Sequence, residues 1–201
     1  MGRLRQAGSL PTVADGGARM DNVLSAPELK EEGLRLFQEG LYEEAAARFK
    51  EARETFTREG NEVEAAEMVN NLGVIHRMRG QWDDAIAALD EARAAFVRLG
   101  DRDREAQALG NLGGLYASLG ERDKAKEIYR QAADVFGALG DAQRQGETLL
   151  ALGVQEWKTG NRSSALATYE AGLQTLPKLT AGRKTLRGLL GLRTRLLGGP
   201  K

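Results

Sequence analysis

A period of 40 residues constrains this chain more than any other feature. Gly33, Gly73, Gly113 and Gly153 stand 40 apart, and so do Gly40, Gly80, Gly120 and Gly160. Ala45, Ala85, Ala125 and Ala165 keep the same register, followed by Phe49, Leu89, Tyr129 and Tyr169. Two more columns, Ala52, Ala92, Ala132, Gly172 and Phe56, Phe96, Phe136, Leu176, complete the ladder. A chain with this self-similarity folds as a stack of supersecondary units, because one unit alone cannot bury its apolar face.

Each column has a physical reason. Gly40, Gly80, Gly120 and Gly160 lie between two helical patterns, where a helix ends well on a left-handed residue that glycine adopts at little cost. Gly60-Asn61, Gly100-Asp101 and Gly140-Asp141 form a second punctuation, in which the glycine stops one helix and the Asn or Asp caps the next. Each unit therefore reads as two antiparallel helices, A and B. Gly73, Gly113 and Gly153 are expected to face Ala85, Ala125 and Ala165, so that A and B approach closely. The aromatic and Leu columns of helix B then fill the space towards the next unit. The spacing predicts helices over 27–39, 42–58, 62–79, 82–98, 102–119, 122–138, 142–159 and 162–175, the last stopped by Pro177. A further helix over 180–197 carries Leu186, Leu189, Leu190, Leu196 and Leu197 at helical spacing.

The expected fold is all-α: a solenoid of four antiparallel helix pairs, residues 26–60, 61–100, 101–140 and 141–177. A basic capping helix and tail follow at 178–201. Residues 1–25, with Pro11 and no helical period, are expected to be a mobile tail, and Met20 is an alternative start. The chain has no cysteine and a single histidine, His76, so disulfides, thiolate metal sites and His-rich clusters are excluded. No apolar run approaches the roughly 20 residues of a membrane span, the N-terminus lacks a hydrophobic signal core, and Met-Gly-Arg-Leu-Arg-Gln lacks the Ser or Thr of a myristoylation motif. A cytoplasmic protein is the resulting expectation. Net charge is zero, yet residues 171–201 hold seven basic and no acidic side chains, against 22 basic and 29 acidic before them. An acidic body thus carries a basic tail.

Leu72-Gly73, Leu112-Gly113 and Leu152-Gly153, with the turn glycines and the Ala and aromatic columns, resemble the tetratricopeptide repeat family over residues 27–177. The 40-residue unit, with Asn-Leu-Gly in helix A and Gly-Asp between units, looks like the long-helix variant of kinesin light chains and G-protein-signalling modulators. The resemblance implies a right-handed superhelix whose A helices line a concave groove for an extended peptide or helix. Repeat 1 is also similar to the first repeat of co-chaperones that grip a C-terminal carboxylate with two Lys, two Asn and an Arg. Only Lys30 and Asn71 match that set. Leu34, Gln107 and Asn111 stand in the other three positions, so chaperone-tail capture is not expected.

The groove positions expected from this resemblance are Asn70, Asn71, Val74 and Arg77 in repeat 2, with Met78 beside them. Repeat 3 offers Gln107, Gly110, Asn111, Gly114 and Ser118, and repeat 4 Leu150, Val154, Trp157 and Lys158. Asn71 and Asn111 share the position where family members bond a peptide backbone, since an amide both donates and accepts; bonding to a neighbouring helix is the alternative. Gly110 and Gly114, each costing about 1 kcal/mol in a helix relative to Ala, either open a shallow pocket or make room for a large side chain such as Leu150 or Met78. Trp157 is either an anchor beside Lys158 and Arg77 or packs on the C-terminal helix. Trp82 and His76 fall in packing columns.

Enzyme signals are missing. Gly182-Arg183-Lys184-Thr185 lacks the Gly-Lys pair and preceding strand of a phosphate loop. The Gly110-Asn111-Leu112-Gly113-Gly114 run lies inside a helix. Acidic pairs such as Glu43-Glu44 and Asp83-Asp84 suit helix N-termini. The expected function is a non-catalytic scaffold or adaptor with a protein or peptide in its concave groove and no cofactor or metal. Self-association is a further option, expected through repeat 4 once residues 178–201 are removed. The alternative is a nucleic-acid or anionic-membrane binder acting through the basic C-terminal helix.

Overall fold

A computed structural model describes residues 24–197, with side chains described as far as residue 191. The expected tail and Met20 therefore lie outside the described residues, apart from Leu24 and Ser25. Nine helices are found among the described residues: α1 (Ala26–Gln38), α2 (Tyr42–Arg58), α3 (Glu62–Met78), α4 (Trp82–Leu99), α5 (Arg102–Leu119), α6 (Arg122–Ala138), α7 (Ala142–Lys158), α8 (Arg162–Thr175) and α9 (Ala181–Leu197). Odd-numbered α1 to α7 are the A helices of four pairs and even-numbered α2 to α8 the B helices. Packing runs between consecutive helices, with a lesser contact between α3 and α5. The fold is thus an all-α solenoid.

Glycine punctuates the chain every 20 residues. Gly40, Gly60, Gly80, Gly100, Gly120, Gly140 and Gly160 all have φ between 71° and 87°, the left-handed region that a Cβ disfavours. The residue after each glycine reaches back to close the helix end, as in Leu41 N to Leu36 O at 2.9 Å and Asn61 N to Phe56 O at 2.9 Å. The caps follow the same rhythm. Asn61, Asp101 and Asp141 accept from the backbone N–H of Glu64 (3.3 Å), Arg104 (3.0 Å) and Arg144 (2.8 Å). Ser25 begins α1 with a capping box, its N and Oγ both bonded to Glu28 at 2.8 and 2.7 Å.

Within a pair, the helix-A glycine meets a different column from the one expected. A Cβ on Gly33 would stand 2.6 Å from Phe49, on Gly73 2.7 Å from Leu89, and on Gly113 2.7 Å from Tyr129. The bulky helix-B side chain, one turn beyond the Ala column, lies across the glycine. At Gly153 the nearest atoms are the Ala165 carbonyl and the Tyr169 backbone N, each 3.1 Å from the notional Cβ. The Ala residues are buried beside this contact. Trp82 also departs from its packing role. It is 39% exposed and lies over the Gly80 turn.

Charged side chains tie the A helices together near their N-termini. Lys30 of α1 bonds Glu64 and Glu67 of α3, both at 2.7 Å. Arg104 of α5 bonds the same two at 2.8 Å and its own Asp101 at 2.9 Å. Arg144 of α7 bonds Asp103 of α5 and Asp141 at 2.6 Å. Burial alone would lower the Lys30 pKa, but the hydrogen bonds to Glu64 and Glu67 outweigh it and raise it. Burial would raise the Asp101 carboxyl, yet the Arg104 backbone and guanidinium bonds hold it below its ordinary value. The Arg144 backbone and side-chain bonds do the same for Asp141.

Two expectations follow. Gly113→Ala should destabilise the protein by about 1–3 kcal/mol in urea unfolding, because its methyl collides with a ring wedged between helices; a neutral or stabilising result would remove the close-contact account. The lowered Asp101 and Asp141 values mean that their contribution is full above their unfolded pKa and drains as pH falls through the folded ones. An Asp101→Asn, Asp141→Asn variant keeps the cap acceptors but not the charges. Its stability deficit against wild type should be constant above about pH 5, shrink as pH falls past about 4, and vanish only below the lowered folded-state values, as read by thermal melts across the acid range.

Candidate binding groove

The A-helix face opposite the B helices is the candidate groove. At its N-terminal edge the ion pairs neutralise Lys30, Glu64, Glu67, Asp103, Arg104 and Arg144 against one another. Lys30, the one cation matching the co-chaperone clamp, is thereby already occupied.

The middle of the groove holds a cavity of about 130 Å³. Five expected residues meet there: Asn70, Asn71, Val74, Gln107 and Asn111, with Leu34 and Phe37 of α1 as an apolar wall, of which sequence reasoning had placed only Leu34. Asn70 is buried and its Oδ1 accepts from Asn111 Nδ2 at 3.0 Å. The amide ladder therefore runs diagonally, and Asn111 serves the neighbouring helix as well as facing the groove. Asn71 differs. Its Nδ2 is buried and has no hydrogen-bond partner, a state that costs about 1–3 kcal/mol.

The two groove glycines separate. Nothing lies within 4 Å of a Cβ placed on Gly110, so it opens onto free space. A Cβ on Gly114 would collide with the Arg77 guanidinium, and the Tyr129 hydroxyl stands 3.5 Å from the same point. Gly114 thus receives a large side chain from α3, and that side chain is Arg77 rather than Met78 or Leu150. Tyr129 belongs to a packing column of helix B, and no spacing signal shows that its hydroxyl passes Gly113 to reach the groove.

Repeat 4 does not extend the amide cavity. Leu150 is 7% exposed and packs with Leu173 and Leu176, so it is a core residue and leaves the groove set. Its column faces the groove in repeats 2 and 3, but here Leu173 and Leu176 close over it. Val154, Trp157 and Lys158 instead line a separate apolar cleft of about 260 Å³ with Leu186 and Leu190 of α9. Trp157 is 52% exposed, and the Arg162 guanidinium lies 5.6 Å from its ring centre, within cation–π range. It therefore faces α9 across a cleft rather than packing against it. α9 itself is held by Leu190, next to Leu179, on the repeat-4 core, while Leu189 is 60% exposed. Leu196 and Leu197 lie beyond the described side chains.

A cleft of about 820 Å³ opens between the B helices α2 and α4, floored by Val69, Leu72 and His76. It exists where His76 and Ala88 stand in the columns of Tyr116 and Ile128. His76 Nδ1 is 2.9 Å from Gln81 Oε1.

The tetratricopeptide repeat model matches residues 33–96 and 64–138, together more than half of the chain. The chain belongs to the tetratricopeptide repeat family. No curated protein shows significant sequence similarity to it. Among solved structures, this tetratricopeptide array is similar to BtubC (BKLC) from P. vanneervenii, with a TM-score of 0.66 and 22% identity, covering 78% of this chain and 68% of that one. It is also similar to a Rap protein complexed with Competence and Sporulation Factor, with a TM-score of 0.65 and 15% identity. That match covers 77% of this chain but only 43% of the Rap chain. At these identities the likeness is one of fold. No described helix of the tetratricopeptide array is long and apolar enough to cross a membrane.

Gly110→Ala should raise stability by about 1 kcal/mol through helix propensity alone. A loss on thermal unfolding would mean that the open space is needed for packing.

Proposed function

We propose that this protein is a non-catalytic, cytoplasmic scaffold that binds an extended segment of a protein partner along its A-helix face. The buried, unpartnered Asn71 Nδ2 carries this reading. A ligand backbone carbonyl entering the cavity would accept from it, and the free lone pair of Gln107 or Asn111 would take a ligand N–H. The open surface over Gly110 lets a main chain approach closely, and Leu34, 38% exposed, offers an apolar contact. Family membership points the same way, and the Rap relative was solved with the Competence and Sporulation Factor.

The Asn111 contact decides which variant tests this. Asn111→Ala would strand the buried Asn70 amide and cost about 1–3 kcal/mol of stability, mixing folding with binding. Asn71→Ala removes only the unpaired donor. It should leave the melting temperature equal or higher and weaken peptides selected on wild type from a random linear library by about two- to tenfold. Unchanged affinity would remove Asn71 from the site.

A second reading rests on α9, which presents exposed Leu186 and Leu189 beside Lys184 and Arg187, a basic amphipathic surface. Its cap role predicts that deleting residues 178–201 lowers the melting temperature and promotes self-association through repeat 4. A truncated protein that stays monomeric and equally stable, but loses binding to anionic liposomes or nucleic acid, would make α9 a binding arm instead.

A further inference from the structure

Resting on the peptide-groove reading, we propose that Arg77 and the Tyr129 hydroxyl form a seat for one carboxylate of the bound segment, so that the groove selects an acidic ligand. Of the cations on α1, α3 and α5, Lys30, Arg35, Arg102 and Arg104 all hold carboxylates. Arg77 forms no ion pair with any described residue. It is nevertheless half-buried and lodged in the notch over Gly114, where a Cβ would collide with its Nη1.

The Tyr129 hydroxyl reaches the same notch, 3.5 Å from the notional Cβ, and makes no hydrogen bond to any described residue. Burial raises the Tyr129 pKa, against the pull of Arg77's charge. The phenol therefore keeps its proton and remains a donor. The guanidinium can only donate and the protonated phenol has an O–H to give, and together they match the acceptor-only chemistry of a carboxylate. Neighbouring side chains do not compete, because the Ser118 hydroxyl is already spent on the Gly114 carbonyl at 2.9 Å. The acidic groups at the ion-paired edge, Glu64, Glu67, Asp101 and Asp103, are engaged by Lys30, Arg104 and Arg144. Arg77 stands in the same helix as Asn71 and in its last turn. A segment bonded to Asn71 through its backbone would thus bring a residue a turn or two further along the groove onto the guanidinium.

The carboxylate is either an Asp or Glu side chain or the C-terminus of the segment, and two peptide-display libraries distinguish them. One presents random peptides internally with no free C-terminus, and the other ends in a free carboxylate. Selection on the full chain should enrich Asp or Glu at one position in the first library, or demand the free end in the second. Synthetic peptides from the winning arm should bind about ten- to a hundredfold more weakly to Arg77→Gln, and severalfold more weakly to Tyr129→Phe, which keeps the ring on Gly113. Gly114→Ala fills the notch while favouring the helix, so it should mimic Arg77→Gln without loss of stability. Arg77→Glu should turn the preference towards Lys or Arg. Peptides that depend on Asn71 yet show no acidic preference, or ignore Arg77→Gln, would overturn the seat and leave the groove standing. Enrichment in neither library would end the groove reading and the seat with it.

Discussion

Everything in this solenoid depends on how closely the two helices of a pair approach. In the first three pairs a glycine of the A helix accepts a Phe, Leu or Tyr side chain from its B helix inside normal Cβ distance, and in the fourth Gly153 lies against the α8 backbone itself. That contact turns one stripe of each A helix into the core and commits the opposite stripe to the outside. The helix pair cannot rotate to hide its other face without expelling the wedged side chain. The opposite stripe is therefore a by-product of packing, and most of its residues are released from the pair's core. This is why repeat 3 tolerates Gly110, Asn111 and Gly114 in one helix, a run that intrinsic propensity disfavours.

Electrostatics divides the groove along its other axis. Near the N-termini of the A helices, carboxylates and cations alternate from α1 to α7 and satisfy one another across repeats. The Lys30 and Arg104 pairs are partly buried, where desolvation offsets much of the attraction, so their main effect is to set register between neighbouring A helices and to leave that edge neutral. Near the C-termini, Arg77 and Lys158 have no such partners among the described residues. A groove on a chain of zero net charge thus has a polar gradient across its width.

Much of this was legible in the sequence because the period reports faces. Turn glycines, caps and the A-helix face all follow from columns, and columns repeat. What a column does not report is reach. The Gly73 column was expected to meet Ala85 and its equivalents, whereas the longer Leu89 and Tyr129 side chains fold back over it. Gly114 carried no sign that Arg77, 37 positions earlier, would fill it. Leu150 shares a column with Asn70 and Gly110, but the last repeat ends in Leu173 and Leu176 and draws it into the core. The amide pair was legible as two positions of one column, and for Asn111 the alternative of bonding a neighbouring helix holds, its partner being Asn70.

Packing in this chain runs from each helix to the next, with little that skips a unit. Mechanically, that makes the molecule a spring rather than a block. Its curvature is the sum of small, separate rotations between pairs, and each rotation resists bending on its own. A load placed across repeats 2 and 3 tightens the coil there and leaves the stiffness of repeat 4 almost unchanged. The spacing between neighbouring A helices is then set pair by pair, while every helix keeps its own hydrogen bonds.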